Sequence, residues 1–336
     1  MSGATYMTKD AILAIDLGGT KVLCGVIGAD GTVLGRAKQS TRSHPDASVL
    51  LEQIAACARQ AVSAANIDYS RIRGVGVGVP GPVNTETGIV KVAPNLGWHD
   101  VPAKMILEKL LEVPVSIDND VRVAMIAEHA RGVARGAERA VGIFIGTGVG
   151  GGVIIDGRIY RGRDMQAGEV GHMIVKAGGP EGNCGHHGCL EAMASRTAIT
   201  RDLREALGRG KKSLLTKLAG DDLSKLGSGE LARAIAQDDK LAKKIVGKSA
   251  KYAGYGISCV VNLLNPDIVV LGGGVVEAVG AWYVKRATES ARQNVISEDV
   301  RDVPVVQSSL GDDAGILGAA QLVLLAEQAP GTPANE

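Results

Sequence analysis

An aspartate at position 120 has the sequence context expected of a group that accepts a proton. It follows an apolar run, residues 113–117, that predicts a strand, and it precedes a segment, residues 121–134, that predicts a helix. The positive end of a helix dipole favours an ionised carboxylate, and such a carboxylate beside a hydroxyl group can act as a general base. Aspartate is also a favoured helix N-cap for structural reasons alone, so both interpretations of Asp120 stay open.

Three glycine clusters, at residues 18–19, 146–152 and 272–274, stand at the ends of predicted strands. Backbone N–H groups in such turns can bind phosphate, although a plain hairpin turn also explains each cluster. The G-x-G-x-x-G pattern at 146–151 does not indicate a dinucleotide site, because the residues that follow predict a strand and not a helix. Residues 247–249, GKS, match the end of the P-loop motif G-x-x-x-x-G-K-[ST]. Ala242 stands where the first glycine of that motif is required, so the sequence argues against a P-loop.

Asp16 lies just before the first glycine turn. A carboxylate there could hold Mg²⁺ beside a bound polyphosphate, either directly or through water. The alternative is a structural role, in which the side chain caps the turn. Thr20 and Thr147 add one hydroxyl group to each of the first two turns.

The opening pattern of the chain occurs twice. Residues 11–39 predict a strand, a glycine turn, a strand, an Asp-Gly turn and a strand, and residues 140–162 repeat this order. An internal repeat of this kind predicts two similarly built α/β domains, each with a glycine-rich hairpin. Between and after the repeats we expect helices at about 47–65, 102–112, 239–265 and 314–327.

Composition excludes several classes of function. The net charge of +1, without a basic block, argues against nucleic acid as the main partner. No apolar run reaches the roughly 18 residues of a membrane span, and the first ten residues lack the apolar core of a signal peptide. Five cysteines do not suggest a disulfide framework. We therefore expect a reduced, cytoplasmic protein that does not contact membranes.

Several motifs together resemble those of the ROK family of repressors and sugar kinases, within the hexokinase, actin and heat-shock ATPase superfamily. Residues 15–21, IDLGGTK, are similar to the first phosphate motif of that superfamily. The family's E-x-G-H motif is matched at 169–172, and its C-G-x-x-G-C-x-E signature at 184–191. Residues 79–82, Asn119-Asp120 and residues 310–319 also match, in the family order, from residue 12 to residue 320.

The resemblance implies an α/β fold with two ribonuclease-H-like domains, of the actin/hexokinase ATPase type, around a central cleft. The small domain would comprise residues 1–121 and the closing helix 313–328, and the large domain residues 122–312, with a Cys/His loop at 172–191. The tail, 329–336, is expected to be disordered. Only about ten residues precede the first motif, too few for a DNA-binding helix-turn-helix, so a kinase is expected rather than a repressor.

The resemblance also assigns roles to residues. Asp120 would be the catalytic base. For Asn95, a structural role in a turn stays open as the alternative to sugar binding. Without its motif, Glu169 would be interpreted as a solvent-exposed surface charge. The expected sugar-binding residues are Gly81, Asn95, Asn119, Asp120, Glu169, His172 and Glu191. The expected residues for ATP and Mg²⁺ are Asp16, Gly18, Gly19, Thr20, Lys21, Thr147, Gly148, Gly150, Gly272, Gly273 and Gly274.

A structural zinc ion is implied by the Cys/His loop, with ligands His172, Cys184 and Cys189. Family members typically supply a further cysteine where this chain has Gly182. Structural zinc requires four ligands, so His186 or His187 could replace the missing thiolate. The alternative is a loop held by packing without a metal.

The expected activity is phosphorylation of a hexose at its 6-hydroxyl by ATP, with D-glucose as substrate, as in bacterial glucokinases of the family. N-acetylmannosamine, N-acetylglucosamine, fructose or allose are alternative substrates, and polyphosphate is an alternative donor. A sugar-responsive regulator without catalysis is the alternative from another functional class. The expected assembly is a homodimer or a higher homo-oligomer.

Overall fold

The first repeat folds into three antiparallel strands, and two parallel strands extend them into one sheet. The computed structural model describes residues 9–41, 44 and 46–328. Its first eight strands are β1 Ala11–Leu17, β2 Lys21–Ile27, β3 Val33–Ser40, β4 Ile72–Val79, β5 Val83–Asn84, β6 Ile89–Ala93, β7 Trp98–Val101 and β8 Val115–Asn119. The strand order in the main sheet is β3-β2-β1-β4-β8, with β4 parallel to β1 and β8 parallel to β4.

The second repeat forms a sheet of the same design. Its strands are β9 Ala140–Ile145, β10 Val149–Ile155, β11 Arg158–Ile159, β12 Ile268–Gly272 and β13 Val305–Gln307. They run in the order β11-β10-β9-β12-β13, again with three antiparallel strands followed by two parallel ones. The internal repeat predicted from the sequence is therefore confirmed at the level of sheet topology.

Helices pack on both sheets. They are α1 Ala47–Ala64, α2 Ala103–Leu111, α3 Asp120–Arg131, α4 Leu190–Ala194, α5 Arg196–Gly208, α6 Leu215–Ala219, α7 Ser228–Ala236, α8 Lys240–Leu264, α9 Gly274–Val279, α10 Ala281–Arg292 and α11 Ala314–Glu327. Helix α1 illustrates the sequence pattern that predicts these helices. Its apolar residues recur every three or four positions and are buried. The side chain of Asp46 caps it by accepting a hydrogen bond from Ser48 N at 2.8 Å.

The described residues divide into two units. The first contains the residues up to Ala130, the segment Arg161–Gln166 and the residues from Asp312 onward. The second contains Arg131–Tyr160 and Ala167–Gly311. Helix α3 thus lies in the first unit although the expected boundary was residue 121, because its Val123 packs closely against Gly318 of α11. The tail at 329–336 lies outside the described residues.

Two features differ from the sequence expectations. A separate three-stranded sheet, β5-β6-β7, was not predicted, because its strands have only two to five residues and no clear alternation. The apolar surroundings of Cys24, Cys57 and Cys259 in the sequence favour core positions for all three, but Cys259 lies on the exposed side of α8, whereas Cys24 and Cys57 are buried. Among the described residues no helix is both long and apolar enough to cross a bilayer.

Close packing of α11 on β4 explains a glycine that the sequence analysis left without a role. A Cβ atom at Gly76 would lie 1.7 Å from the carbonyl oxygen of Ala319. We expect Gly76→Ala to force the helix away from the sheet and to lower the free energy of unfolding by about 1–3 kcal/mol or more. The measurement is the midpoint of thermal unfolding.

Gly208→Ala is the matched control, because a Cβ atom at this helical position meets nothing within 4 Å. Alanine is the better helix former, so this variant should unfold at the parent temperature or slightly above it. Equal midpoints for both variants would contradict the packing described for β4 and α11.

Candidate active site and metal-binding loop

Acidic residues gather at the carboxyl ends of the parallel strands in the first unit. Asp16 of β1 pairs in register with Gly78 of β4, and Gly78 pairs with Asp118 of β8. Asp120 follows directly, as the first residue of α3. Ligands of open α/β sheets bind at this end of the strands, so the first unit has its candidate site here.

Asn119 and Asp120 form a hydrogen-bonded turn between β8 and α3. The Asn119 side chain accepts hydrogen bonds from Val121 N at 3.0 Å and Arg122 N at 3.2 Å, and therefore caps the helix. Its Nδ2 donates to Asp120 Oδ1 at 3.0 Å and to the carbonyl oxygen of Gly81 at 3.2 Å. Because Asn119 is the cap, the carboxylate of Asp120 keeps one oxygen without a bond to the helix end.

The pKa of Asp120 is raised to about 7. Burial is the main cause, and the negative charge of Asp16 adds to it, while hydrogen bonds from Val121 N and Asn119 oppose the shift. A carboxylate with a pKa near neutrality can both take up and release a proton at physiological pH. Asp120 therefore has the chemistry of a general acid or base, and not of a helix cap alone.

Asp16 lies against the start of helix α11. A Cβ atom at Gly315 would lie 2.4 Å from Asp16 Cγ, so only glycine leaves room for the carboxylate. Burial raises the pKa of Asp16, Lys21 lowers it and Asp312 raises it further. Oxygen donors of this kind fit Mg²⁺, which binds through one or two carboxylates and phosphate oxygens.

The other expected residues of the first unit lie nearby. The turn after β1 closes with a hydrogen bond from Gly18 N to the Lys21 carbonyl at 2.9 Å. A Cβ atom at Gly19 would lie 3.2 Å from Asn95 Cβ, which places Asn95 beside this turn. Gly81 has φ of +85°, and a Cβ atom there would lie 2.1 Å from the Val92 carbonyl oxygen, so this position requires glycine.

Sequence reasoning missed a buried ion network beside Asp120. Asp118 is fully buried and accepts hydrogen bonds from Arg122 Nε at 2.7 Å, Arg161 Nε at 2.8 Å and Asn119 N at 2.7 Å. Arg122 also donates to the carbonyl oxygen of Met165 at 2.5 Å. The network thus ties the segment 161–166 to the end of β8. No signal in the sequence marks it, because Arg161 lies 43 residues away from Asp118.

In the second unit the glycine turn after β9 is attached to the start of α5. Gly146 N bonds to the Gly148 carbonyl at 2.9 Å and closes the turn. Arg196, which was not predicted, donates from Nη2 to the Thr147 hydroxyl at 2.7 Å. Glu191 accepts a hydrogen bond from Val149 N at 3.0 Å, and a Cβ atom at Gly148 would lie 2.3 Å from its Oε2. The turn therefore combines a hydroxyl group with side chains of both signs of charge.

The remaining glycines of the predicted nucleotide site have packing roles of their own. Gly150 pairs in register with Phe144. A Cβ atom at Gly272 would lie 2.6 Å from the Phe144 ring, and one at Gly273 would lie 2.6 Å from Ile145 N. Helix α9 then begins at Gly274. These contacts explain Gly272 and Gly273 without a ligand, and the role of all four glycines in nucleotide binding stays a prediction.

Glu169 and His172 bracket a short 3₁₀ turn that packs on β10. Glu169 Oε2 lies 3.8 Å from His172 Nε2, and both side chains are exposed. A Cβ atom at Gly171 would lie 2.0 Å from the Val149 carbonyl oxygen, which holds the turn against the strand. The two polar side chains therefore remain available on the surface of the second unit.

His172, Cys184 and Cys189 form the metal-binding candidate predicted from the sequence. One ligand atom from each lies within 4.8 Å of the others, and the two sulfurs are 3.9 Å apart. One imidazole and two thiolates suit zinc. Hydrogen bonds, chiefly from the backbone N–H of His186, lower the pKa of the Cys184 thiol to about 6, which favours the thiolate that a metal requires.

Neither of the two histidines considered as a fourth ligand belongs to this cluster. His186 Nδ1 lies 3.1 Å from the Cys184 carbonyl oxygen, and His187 Nδ1 lies 3.1 Å from the Gly179 carbonyl oxygen. Within the described part of the chain, the cluster contains three ligating residues.

Comparison with known proteins gives a consistent set of relatives. The sequence profile of the ROK family matches residues 12–326. A glucokinase of Thermotoga maritima is 35% identical over 94% of this chain and 98% of its own length. A solved ROK hexokinase of Thermus thermophilus is 32% identical with a TM-score of 0.78, covering 95% of this chain and 100% of that one. A ROK glucokinase of Streptomyces griseus, solved with glucose and AMPPNP, is 30% identical with a TM-score of 0.82, covering 93% and 98%.

The raised pKa of Asp120 predicts a pH-dependent stability. The folded chain holds this proton up to a pH of about 7, whereas the ordinary pKa is 3.8. The folded state therefore binds more protons than the unfolded state in this interval, and the free energy of unfolding falls as the pH rises through it. The side chain is partly exposed, so about 4 kcal/mol is an upper bound.

Asp120→Asn removes this titration while keeping the shape of the side chain. We expect the variant to match the parent at pH 4 and to be more stable at pH 8. Chemical denaturation at both pH values measures the difference. A stability difference that does not change with pH would contradict the pKa of Asp120.

The buried pair of Asp118 and Arg122 predicts a large loss of stability when one partner is removed. Arg122→Met leaves Asp118 with Arg161, which is 28% exposed, as its remaining charged partner. We expect a loss of about 3 kcal/mol, the lower end of the range for breaking a buried pair. Arg71→Met breaks the exposed pair with Asp10 and is the matched control, with an expected loss below about 1 kcal/mol. Similar losses in the two variants would be inconsistent with this role of Asp118.

Proposed function

The chain belongs to the ROK family and has the two-domain actin/hexokinase-type fold, and on this premise we propose that it is an ATP-dependent kinase that phosphorylates D-glucose at the 6-hydroxyl. The observation that carries the proposal is Asp120, a carboxylate at the carboxyl end of a parallel strand with a pKa of about 7. The full-length likeness to glucokinases supports the choice of sugar.

In the first unit, Asp120 accepts the proton of the sugar 6-hydroxyl as the phosphoryl group is transferred. Phosphoryl transfer passes through a loose transition state, so the proton moves late and most of the catalysis is positioning. Asn119 orients the carboxylate through its hydrogen bond at 3.0 Å. Asn95 and the backbone at Gly81 lie in the same region and are proposed to bind sugar hydroxyls.

Phosphate binding in the first unit is assigned to the turn at Gly18, Gly19 and Thr20, with Lys21 next to it. Asp16 would hold Mg²⁺, which supplies charge neutralisation on the phosphates. Burial is the main cause of the raised pKa of Asp16, and further positive charge beside the carboxylate would favour its ionised form. A bound divalent cation supplies that charge, so the residues present fit the ion.

In the second unit, Glu169, His172 and Glu191 are proposed to bind sugar hydroxyls. The turn at Thr147, Gly148 and Gly150 is proposed to bind phosphate, and the glycines at 272–274 to support the adenosine. Arg196 joins this set, because its hydrogen bond to the Thr147 hydroxyl places a positive charge at the turn. It is the candidate in this unit that neutralises phosphate charge.

Zinc is proposed to bind His172, Cys184 and Cys189 and to have a structural role. The short distances among the three ligand atoms support this assignment. A bound zinc ion would fix the imidazole of His172, and it would hold the loop whose last residue is Glu191. The two sugar-binding side chains would thereby keep their orientation.

Removal of the proposed base predicts loss of turnover. We expect Asp120→Ala to lower kcat by at least about 10²–10⁴-fold, because the variant lacks the base that accepts the proton. Substrate positioning and charge neutralisation are retained in this variant. An ATP-coupled assay across a panel of glucose, fructose, allose, N-acetylglucosamine and N-acetylmannosamine measures it. In the parent enzyme, kcat/KM should rise with pH up to about 7 and then level off, because the base acts in its ionised form.

The same panel separates the alternatives. Turnover of another hexose, with glucose inert, would identify a different sugar kinase of the family. Turnover with polyphosphate but not with ATP would identify polyphosphate as the phosphoryl donor. Glucose binding in a calorimeter without turnover of any sugar would indicate a regulator. Full activity of Asp120→Ala would refute the proposed mechanism, and Asp46→Ala, which alters an exposed helix cap, serves as the control.

A further inference from the structure

We propose that the metal site of the loop 172–191 has three protein ligands and an open fourth position at Gly182, which binds a small exogenous donor. The inference rests on the proposed zinc site and does not depend on the kinase activity. Water is the resident donor in this proposal, and a small thiol or imidazole can replace it.

The position of Gly182 relative to the two thiols carries the inference. A Cβ atom built on Gly182 would lie 2.9 Å from Cys189 Sγ and 3.4 Å from Cys184 Sγ. A side chain at this residue would therefore point into the ligand cluster. Glycine has no side chain, so the protein supplies no ligand atom from this side of the proposed metal ion.

The backbone of the loop holds Gly182 in this orientation. Its N–H bonds to the His186 carbonyl at 2.8 Å, and its carbonyl accepts from Gly185 N at 3.0 Å. Glu181 and His187 pair as an antiparallel bridge on either side of these bonds. The loop therefore cannot shift residue 182 away without breaking several hydrogen bonds.

Of the two neighbouring histidines, His187 is directed away from the cluster, whereas the His186 side chain hydrogen-bonds with Cys184 but lies outside the mutually close set. The Nδ1 atom of His187 lies 3.1 Å from the Gly179 carbonyl oxygen. His186 lies beside Cys184, where its Nδ1 is 3.1 Å from the Cys184 carbonyl oxygen, and it is exposed. Among the described residues, the cluster of mutually close ligand atoms contains neither of them.

The charge of the site indicates which donors fit. Zn²⁺ with two thiolates and one neutral imidazole has no net charge, so a neutral donor such as water, or a single thiolate, can complete the coordination. Zinc sites with three protein ligands keep a water or another exchangeable ligand in the fourth position. Thiols and imidazoles are soft enough to compete for it.

Cobalt substitution tests this geometry without reference to catalysis. The purified chain is stripped of metal under reducing, anaerobic conditions and titrated with Co²⁺, whose visible absorption reports the number of thiolates and the coordination number. We expect one Co²⁺ per chain with a two-thiolate charge-transfer band. Adding imidazole or 2-mercaptoethanol should change the ligand-field bands in a saturable manner.

Gly182→Cys should close the site. We expect a three-thiolate spectrum, no response to imidazole, and release of metal to a chelator at least about 10-fold slower than in the parent, since even an outer-shell partner changes metal affinity by about 10–100-fold. The Cys189 sulfur must move outward slightly to admit the new side chain. Gly208→Cys, which adds a thiol where a Cβ atom has no neighbour within 4 Å, should behave as the parent.

His186→Ala is the second control, and the parent chain alone keeps the test decisive if Gly182→Cys fails to fold. A parent spectrum that ignores exogenous ligands, but responds to them in His186→Ala, would show that His186 closes the site and would overturn the proposal. Absence of cobalt binding in the parent would overturn it as well. Because no readout uses turnover, failure here leaves the proposed kinase activity to be judged by its own assay.

Discussion

The concentration of carboxylates at the carboxyl ends of β1, β4 and β8 is the constraint on which the first unit depends. Like charges in a partly buried region repel each other unless each has its own source of compensation. Asp118 is buried and forms ion pairs with two arginines, Arg122 and Arg161. Asp120 receives only hydrogen bonds and the repulsion of Asp16, so its pKa rises to about 7. Neighbouring positions of one chain segment thereby supply an ion-paired carboxylate that organises the backbone and a second carboxylate that can exchange its proton.

The internal repeat shows how one sheet design supports different chemistry in the two units. Asp16 of β1 pairs with Gly78 of β4, and Phe144 of β9 pairs with Gly272 of β12. The two pairs occupy equivalent positions, just before the glycine turn of each repeat and opposite a glycine on the adjacent parallel strand. The first unit has a carboxylate at this position, and the second has the only phenylalanine of the chain, whose ring would lie 2.6 Å from a Cβ atom at Gly272. Acid–base and magnesium chemistry are therefore assigned to the first unit alone.

The sequence predicted the elements whose signals are local and missed those that depend on distant residues. The two hairpins, helices α1 and α11 and the membership in the ROK family were predicted and are confirmed. The strands β5 to β7 were missed because they are too short to show a period. Arg122 and Arg161 were missed because a buried ion pair becomes visible only when the fold brings its partners together. The roles of the predicted site residues in catalysis and in binding sugar, nucleotide and metal stay predictions.

The loop 172–191, which carries the candidate metal ligands, is held by its own backbone hydrogen bonds. Ile174 and Cys189 form a backbone bridge, Leu190 N bonds to the Met173 carbonyl at 2.8 Å, and Gly188 N bonds to the Pro180 carbonyl at 2.8 Å. A small zinc finger folds only when its metal is bound, but this loop is anchored by β10 and by its own backbone pairing. The backbone pairing of the loop therefore contributes to the proximity of the two thiols and the imidazole. A metal ion bound by the proposed ligands would add rigidity to a loop that already has these backbone contacts.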